Sequence, residues 1–315
     1  MTIRPVKAIV LKPTYLCNQR CIMCPHVGRR TSATTMTWEE AETNLVELKR
    51  RYKPRRLEIV GGEPTLYPDL DKILQWLDAC WSEVPVHVFT NGLRLSKLLA
   101  QMGPYAETVI WNVAVHAPDE QTNAAITMRH GVFERLLTSL DVASDRGLAL
   151  RIDVAVLAQN SSLLMSINDV ISRYKVSHVS YRLPILARDD FLRFKPDVAS
   201  FVSMVTRATS ALSPATKAEI ILAPRCFEAD VPVNVEDGEV VLVDKHCPAT
   251  SGGRRKSHYD DAIIQDLSQR RFCKPKECLE CMYEPDCSGI DGVYLEDLGA
   301  AGVSLRPITN GALDS

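Results

Sequence analysis

The chain has 315 residues, with 37 Lys and Arg against 39 Asp and Glu, a formal net charge of -2 and 10 cysteines. So even a balance argues against a nucleic-acid partner, and no stretch approaches the ~18 apolar residues of a membrane span. The start lacks an export signal's apolar core, so the expected location is cytoplasmic, where thiols bind metals rather than pair as disulfides.

From Val6 to about Leu183, β-rich runs alternate with segments of helical period, the pattern of parallel βαβ units. Val6 to Lys12 is the first predicted strand, and Cys17, Cys21 and Cys24 follow it at spacings of four and three. A closed zinc site needs four protein ligands and a complete ferredoxin-type cluster four cysteines. Three thiols with no near fourth point to an iron-sulfur cluster with one iron left open. A helix is predicted over Thr37 to Tyr52, opened by the capping box Thr37-Trp38-Glu39-Glu40 and closed by the basic run Lys49 to Arg56, whose cations complement the helix dipole.

The second strand, Arg56 to Val60, runs into Gly61-Gly62-Glu63-Pro64. Asp69 to Trp81 reads as an amphipathic helix, with Cys80 a small core residue. Val86 to Thr90 is the third strand, followed by Asn91-Gly92 and a helix over Ser96 to Met102. The remaining predicted strands are Val109 to His116, Ala149 to Leu157 and Val176 to Leu183. The helices between and after them are Val132 to Arg146, Ser162 to Tyr174 and the closing Asp197 to Leu212.

Six such units make a partial (β/α)6, TIM-like barrel, an α/β fold. Period-two alternation assigns the faces. Val109, Trp111, Val113 and Val115 oppose Ile110, Asn112, Ala114 and His116; Leu150, Ile152 and Val154 oppose Arg151 and Asp153; Val179, Tyr181 and Leu183 oppose His178, Ser180 and Arg182. Barrel strands turn their apolar face to the outer helices, so the polar sets point inward. Buried without partners these groups cost several kcal/mol each, so they line a wet or ligand-filled cavity. Taken singly, Arg151 and Asp153 also fit a structural ion-pair network, His116 a satisfied histidine at a strand end, and Asn160 a turn residue.

After about Ser213 the alternation stops, which divides the chain into a barrel domain over 1–213 and a cysteine-rich domain over 214–315. Cys226 and Cys247 bracket two alternating runs around Asp237-Gly238, a β-hairpin signal, and Cys273, Cys278, Cys281 and Cys287 follow. Spacing alone does not name the metal: these four thiols also fit a zinc ribbon. The tail from Gly289 to Ser315 is expected over the barrel mouth.

The front thiols, Gly61-Gly62-Glu63-Pro64 after one strand and Thr90-Asn91-Gly92 after the next resemble the signature of the radical SAM enzymes. The resemblance implies a partial barrel, a 4Fe-4S cluster on Cys17, Cys21 and Cys24, and S-adenosylmethionine chelated by the open iron. It implies cofactor contacts from the Gly61, Gly62 and Glu63 segment and the Thr90-Asn91 strand end. His116, Arg151, Asn160 and Arg182, on the inward face or at strand ends, are the further candidates. Met23 stands where the family commonly has an aromatic residue near the adenine; a thioether can pack against that ring.

The hairpin between cysteines and the spacing behind it resemble the SPASM module or its shorter twitch form, which implies at least one auxiliary 4Fe-4S cluster on ligands from Cys226, Cys247, Cys273, Cys278, Cys281 and Cys287. The full module carries seven cysteines and six are present, with Asp291 where the next would fall.

The implied activity is reductive cleavage of S-adenosylmethionine to a 5'-deoxyadenosyl radical that takes hydrogen from a substrate, with an electron from a donor such as flavodoxin or ferredoxin. A second cluster favours net oxidation or oxidative bond formation. Because the first strand begins near Val6, leaving no preceding peptide-recognition domain, the reading leans to a small molecule of natural-product or cofactor biosynthesis. A ribosomal peptide, as in a maturase or epimerase, is the alternative substrate. An iron-sulfur electron carrier and a zinc-stabilised scaffold are the readings outside this class.

Overall fold

The six predicted strands form in order and lie side by side: β1 (Arg4–Thr14), β2 (Tyr52–Gly61), β3 (Val86–Thr90), β4 (Val109–Ala114), β5 (Ala149–Ala155) and β6 (Val176–Arg182). The structure is a computed structural model that describes residues 3–24, 26, 34–184, 193–221, 233–234, 240–251, 254–255, 272–273, 276–280, 290–291 and 294–296. Helices α1 (Trp38–Arg51), α2 (Leu70–Trp81), α3 (Leu95–Leu99), α5 (Phe133–Asp145), α6 (Leu164–Ile171) and α7 (Val198–Thr209) fall where helical periodicity placed them. Thr37 and Glu40 form the capping box that opens α1, and Lys49, Arg50 and Arg51 fill its last turn. The sequence pattern missed α4 (Glu120–Thr127), a helix of eight residues too short to display a periodic stripe.

The sheet does not stop at six strands. Beyond β6 lie β7 (Lys217–Ile221) and β8 (Val233–Asn234), and on the far side of β1 lie β9 (Val240–Asp244) and the antiparallel β10 (Arg254–Arg255), giving the order β10-β9-β1-β2-β3-β4-β5-β6-β7-β8. Strands β1 to β9 are parallel throughout, and the sheet continues past residue 213.

This corrects the predicted hairpin around Asp237-Gly238. Its two arms do not pair with each other: β8 pairs with β7, and β9 pairs with β1. The run Val241-Leu242-Val243-Asp244 is at most 2% exposed, so it is covered on both faces as an internal parallel strand is, and not on one face as a hairpin arm is. Eight inter-strand steps separate β8 from β9 in the sheet, roughly 38 Å if it were flat. Asn234 and Val240 are six residues apart in the chain, a reach of about 20 Å. The sheet therefore curls its edges toward each other, as a partial barrel does.

The alternation of faces is as the sequence indicated. On β5, Leu150, Ile152 and Val154 are fully buried while Arg151, Asp153 and Ala155 between them retain exposure. Trp111, Val113 and Val115 and then Val179 and Tyr181 continue the same dry layer against the helices. Cys80 departs from expectation: it is exposed, because Leu70, Ile73, Leu74, Leu77 and Trp81 form the buried stripe of α2 and the bulky Trp81 takes its last core position. No helix among the described residues is long and apolar enough to cross a membrane.

Candidate functional site

All motifs singled out in the first half of the chain meet at the C-terminal ends of β1 to β4. The loop after β1 carries Cys17, Cys21 and Cys24, each partly buried. It is docked from the side by α4: Arg20 N donates to Thr127 O at 3.0 Å, Ile22 N donates to Ile126 O at 2.9 Å, and the Arg129 guanidinium reaches Asn18 O. Backbone amides address two of the sulfurs, Gln19 N to Cys17 Sγ and His26 N to Cys24 Sγ, both at 3.4 Å. Amide donors aimed at sulfur favour the thiolate form that ligates a cluster, so the donor set fits a three-thiolate iron-sulfur centre. Among the described residues no three His, Cys, Asp or Glu side chains close around a single ion. Cluster ligands, by contrast, are spread over separate irons.

Gly61 and Gly62 are where β2 lies against that loop. Gly62 N donates to Thr14 O at 2.9 Å, and Glu63 N donates to Leu16 O at 2.7 Å. A Cβ on Gly62 would sit 2.2 Å from Leu16 O and 2.4 Å from Tyr15 O, and one on Gly61, at φ 131°, 2.2 Å from Thr14 O. Only a residue without a side chain fits either place.

Glu63, 1% exposed, spends its carboxylate as a clip. Oε1 accepts from Thr65 N at 3.1 Å and from the hydroxyls of Thr65 and Thr90 at 2.6 Å each, while Oε2 accepts from Asn91 N at 2.7 Å. Burial pushes this carboxyl above its ordinary value, and the four donors pull against it. Thr90 is thereby fixed, and Asn91 is turned toward the thiol loop. Its Nδ2 donates to Asn18 Oδ1 at 2.7 Å and lies 3.9 Å from Cys17 Sγ. Met23 packs partly buried against the core.

Across the barrel, His116 and Asn160 serve the strand ends. His116 Nδ1 accepts from Ala155 N at 3.1 Å, which assigns the neutral tautomer with hydrogen on Nε2, and burial lowers its pKa to about 4. Asn160, fully buried, donates to His116 O and Ala155 O at 2.8 Å each and accepts from Leu157 N at 2.7 Å. Its amide is committed to backbone. Arg182 Nε pairs with Asp153 Oδ1 at 2.8 Å. Deeper on the inward face, Asn112 lies 3.3 Å from His87 Nδ1, and His178 Nε2 sits 3.0 Å from Glu219 Oε1, which also accepts from Ser180 at 2.7 Å. Burial, with Arg151 nearby, lowers the His87 pKa to about 4. Arg151 stands in register with Asn112 and His178.

Of the rear cysteines, Cys247 and Cys278 are partly buried thiols. Cys273 lies on β11 (Phe272–Cys273), paired with β12 (Ile290–Asp291), which brings Asp291 opposite Phe272. Cys226, Cys281 and Cys287 lie outside the described residues. So does most of the tail from Gly289, although Tyr294, 5% exposed, joins the main core. Asn18, Gln19, Tyr15 and Asp244, whose side chains meet the thiol loop or its anchor, carry no motif that marks them in advance. Their polar type alone does not distinguish them from turn residues.

With this geometry, residues 11–158 match the family described as the radical SAM superfamily. The chain therefore carries a radical SAM domain over those residues. The probable GTP 3',8-cyclase of Thermoplasma volcanium is 28% identical over 155 residues, which cover 49% of this chain and 46% of that relative. The match spans about half the length of such curated relatives. Among solved structures, Streptococcus suis SuiB bound to precursor peptide SuiA superposes with a TM-score of 0.62 at 16% identity, covering 94% of this chain and 73% of that one. Native anSMEcpe with bound AdoMet and Cp18Cys peptide gives 0.57 at 12%, covering 95% and 97%. At these identities the likeness is one of fold.

Proposed function

We propose that this protein is a radical SAM enzyme that cleaves S-adenosylmethionine and takes hydrogen from a substrate, with net oxidation or oxidative bond formation as the outcome. The observation that carries the reading is the convergence of the thiol loop, Gly61-Gly62-Glu63 and Thr90-Asn91 at one end of a barrel whose inward face is polar. When bound, a 4Fe-4S cluster with S-adenosylmethionine supplies a 5'-deoxyadenosyl radical able to attack an unactivated C-H bond. The chain's part is placement. Cys17, Cys21 and Cys24 hold the cluster, the bare backbone at Gly61 and Gly62 lets the end of β2 pack directly against the loop, and Asn91 holds the loop against β3.

Arg151 on the inward face is assigned a carboxylate or phosphate of the bound molecules, for which a guanidinium is the matching donor. Cys247 and Cys278, with others of the rear thiols, are assigned to at least one auxiliary 4Fe-4S cluster that takes up the electron left on the substrate. The segment 214–315 is assigned to that cluster even though part of it completes the barrel sheet. A flavodoxin or ferredoxin is the reductant this chemistry calls for.

The curated relatives named as GTP 3',8-cyclases favour a small molecule. A peptide substrate is the second reading. It is favoured because the fold likeness to the peptide-bound SuiB and anSMEcpe structures extends over 94% and 95% of this chain, well past the radical SAM domain.

The test is anaerobic reconstitution, reduction with dithionite and assay for 5'-deoxyadenosine. Wild-type protein produces it and Cys21→Ala does not, whereas Cys278→Ala retains uncoupled cleavage. Intact clusters without any 5'-deoxyadenosine would refute the reading.

A further inference from the structure

We propose that Asp244 is a positioning residue that ties the front thiol loop to the auxiliary-cluster ligand Cys247, so that one buried carboxylate sets both iron-sulfur sites. The inference rests on the assignment of Cys247 as a ligand. Asp244 ends β9, opposite Lys12 on β1, and is 0% exposed. Its Oδ2 accepts the hydroxyl of Tyr15, two residues before Cys17, at 2.8 Å. Its Oδ1 accepts from Cys247 N at 2.8 Å and from His246 N at 2.9 Å. Backbone bonds close the turn, Cys247 N to Asp244 O at 3.1 Å and Asp244 N to Cys247 O at 3.3 Å.

The chemistry of the partners selects a carboxylate. Two backbone amides at one end can only donate, and at the other the buried Tyr15 hydroxyl donates its proton to the second oxygen, so a carboxylate makes all three bonds charge-assisted. An asparagine keeps the shape but not the charge: its NH2 must use the Tyr15 oxygen as an acceptor, and the bonds to the two amides become neutral ones of roughly half the strength. Tyr15 is itself locked, 1% exposed, with Lys12 Nζ 5.5 Å from its ring centre and His26 against its edge at 5.2 Å. The turn behind Asp244 is pinned as well: Lys245 Nζ donates to Thr35 O at 2.9 Å and Ala249 N to Asn44 Oδ1 at 2.7 Å. With both flanks rigid, Asp244 joins the sites directly, although Tyr15 and Asp244 lie 229 residues apart in the chain.

The experiment uses full-length reconstituted protein. In Asp244→Asn, iron of the auxiliary cluster is lost to EDTA about 10-fold faster than in wild type, as is usual when an outer partner of a ligand is removed. The EPR signal of the front cluster with S-adenosylmethionine changes in the same variant. Tyr15→Phe, which removes only the bond between the two sides, reproduces the front-cluster change and part of the faster iron loss. It also serves should Asp244→Asn fail to fold. Unchanged spectra and iron retention in folded variants, or a change confined to one cluster, overturns the coupling. Cys247→Ala separates the two claims: iron content at the wild-type level in that variant refutes the ligand assignment, whereas reduced iron keeps it whatever Asp244→Asn does.

Discussion

The outward and inward faces of the same barrel strands are built for opposite ends. Outward, Trp111, Val113, Leu150, Ile152, Val154 and Val179 are fully buried and aliphatic or aromatic. Inward, one residue along, stand Asn112, Arg151, Asp153, His178 and Ser180, most of them only partly covered. Alternation therefore divides labour at single-residue resolution: one face supplies folding free energy, and the proposed function gives the other the chemistry. Substitutions on the two faces should separate stability from turnover.

The largest effect belongs where the inward end meets the thiol loop. Gly62→Ala places a Cβ 2.2 Å from a carbonyl oxygen of that loop, and backbone cannot yield as a side chain can. Reconstituted Gly62→Ala is expected to hold no front cluster, checked by iron and sulfide content, while far-UV circular dichroism remains that of a folded barrel. On the outward face, Ile152→Ala is expected to cost about 2–5 kcal/mol in denaturant unfolding through the cavity it leaves. Cleavage of S-adenosylmethionine per folded molecule should be unchanged in that variant.

Acid tests the faces by a different route. His87 and His116 are held at about 4 in the folded chain against 6.5 in the unfolded one, both chiefly by burial. Below pH 6.5 the unfolded chain takes up protons that the folded chain refuses. Stability is full above that pH and declines as pH falls toward 4, by at most about 3 kcal/mol per histidine. His116→Asn, which keeps an acceptor for Ala155 N, should flatten the fall in unfolding temperature over that window. A slope identical to wild type would contradict the account of His116.

Close in size, Asn160→Ala strips three hydrogen bonds from buried backbone at the ends of β4 and β5, worth about 1–3 kcal/mol. Smallest in stability is Arg151→Met, expected within about 0.5 kcal/mol of wild type. Turnover should nevertheless fall sharply, read as substrate conversion at saturating S-adenosylmethionine. Equal losses of stability for Arg151→Met and Ile152→Ala would erase the distinction between the faces.

How much of this was legible in sequence follows from the range of the interactions. The capping box of α1, the βαβ order and the alternation of β4 to β6 are local patterns, and each reads directly from neighbouring residues. The thiol loop and Gly61-Gly62 were legible because their residue types are rare in that arrangement. The pairing of β9 with β1 was not, because Val240 to Val243 carries the same apolar signal in a hairpin arm as in an internal strand, and only the fold decides which partner wins. Asp244 was hidden for the same reason. Asn160 read equally well as a turn residue or a cofactor contact, and its three backbone partners depend on strands that only the tertiary structure brings together. Cys80 escapes the pattern because a stripe drawn on a helix does not say which of two adjacent residues, cysteine or tryptophan, the core will accept.

The central claim is that the front thiols hold a cluster with an iron open to S-adenosylmethionine, and EPR of the reduced, reconstituted protein tests it most directly. Addition of S-adenosylmethionine should shift the signal of the cluster on Cys17, Cys21 and Cys24, and the shift should vanish in Cys21→Ala. A fully loaded front cluster whose spectrum is indifferent to S-adenosylmethionine would contradict it.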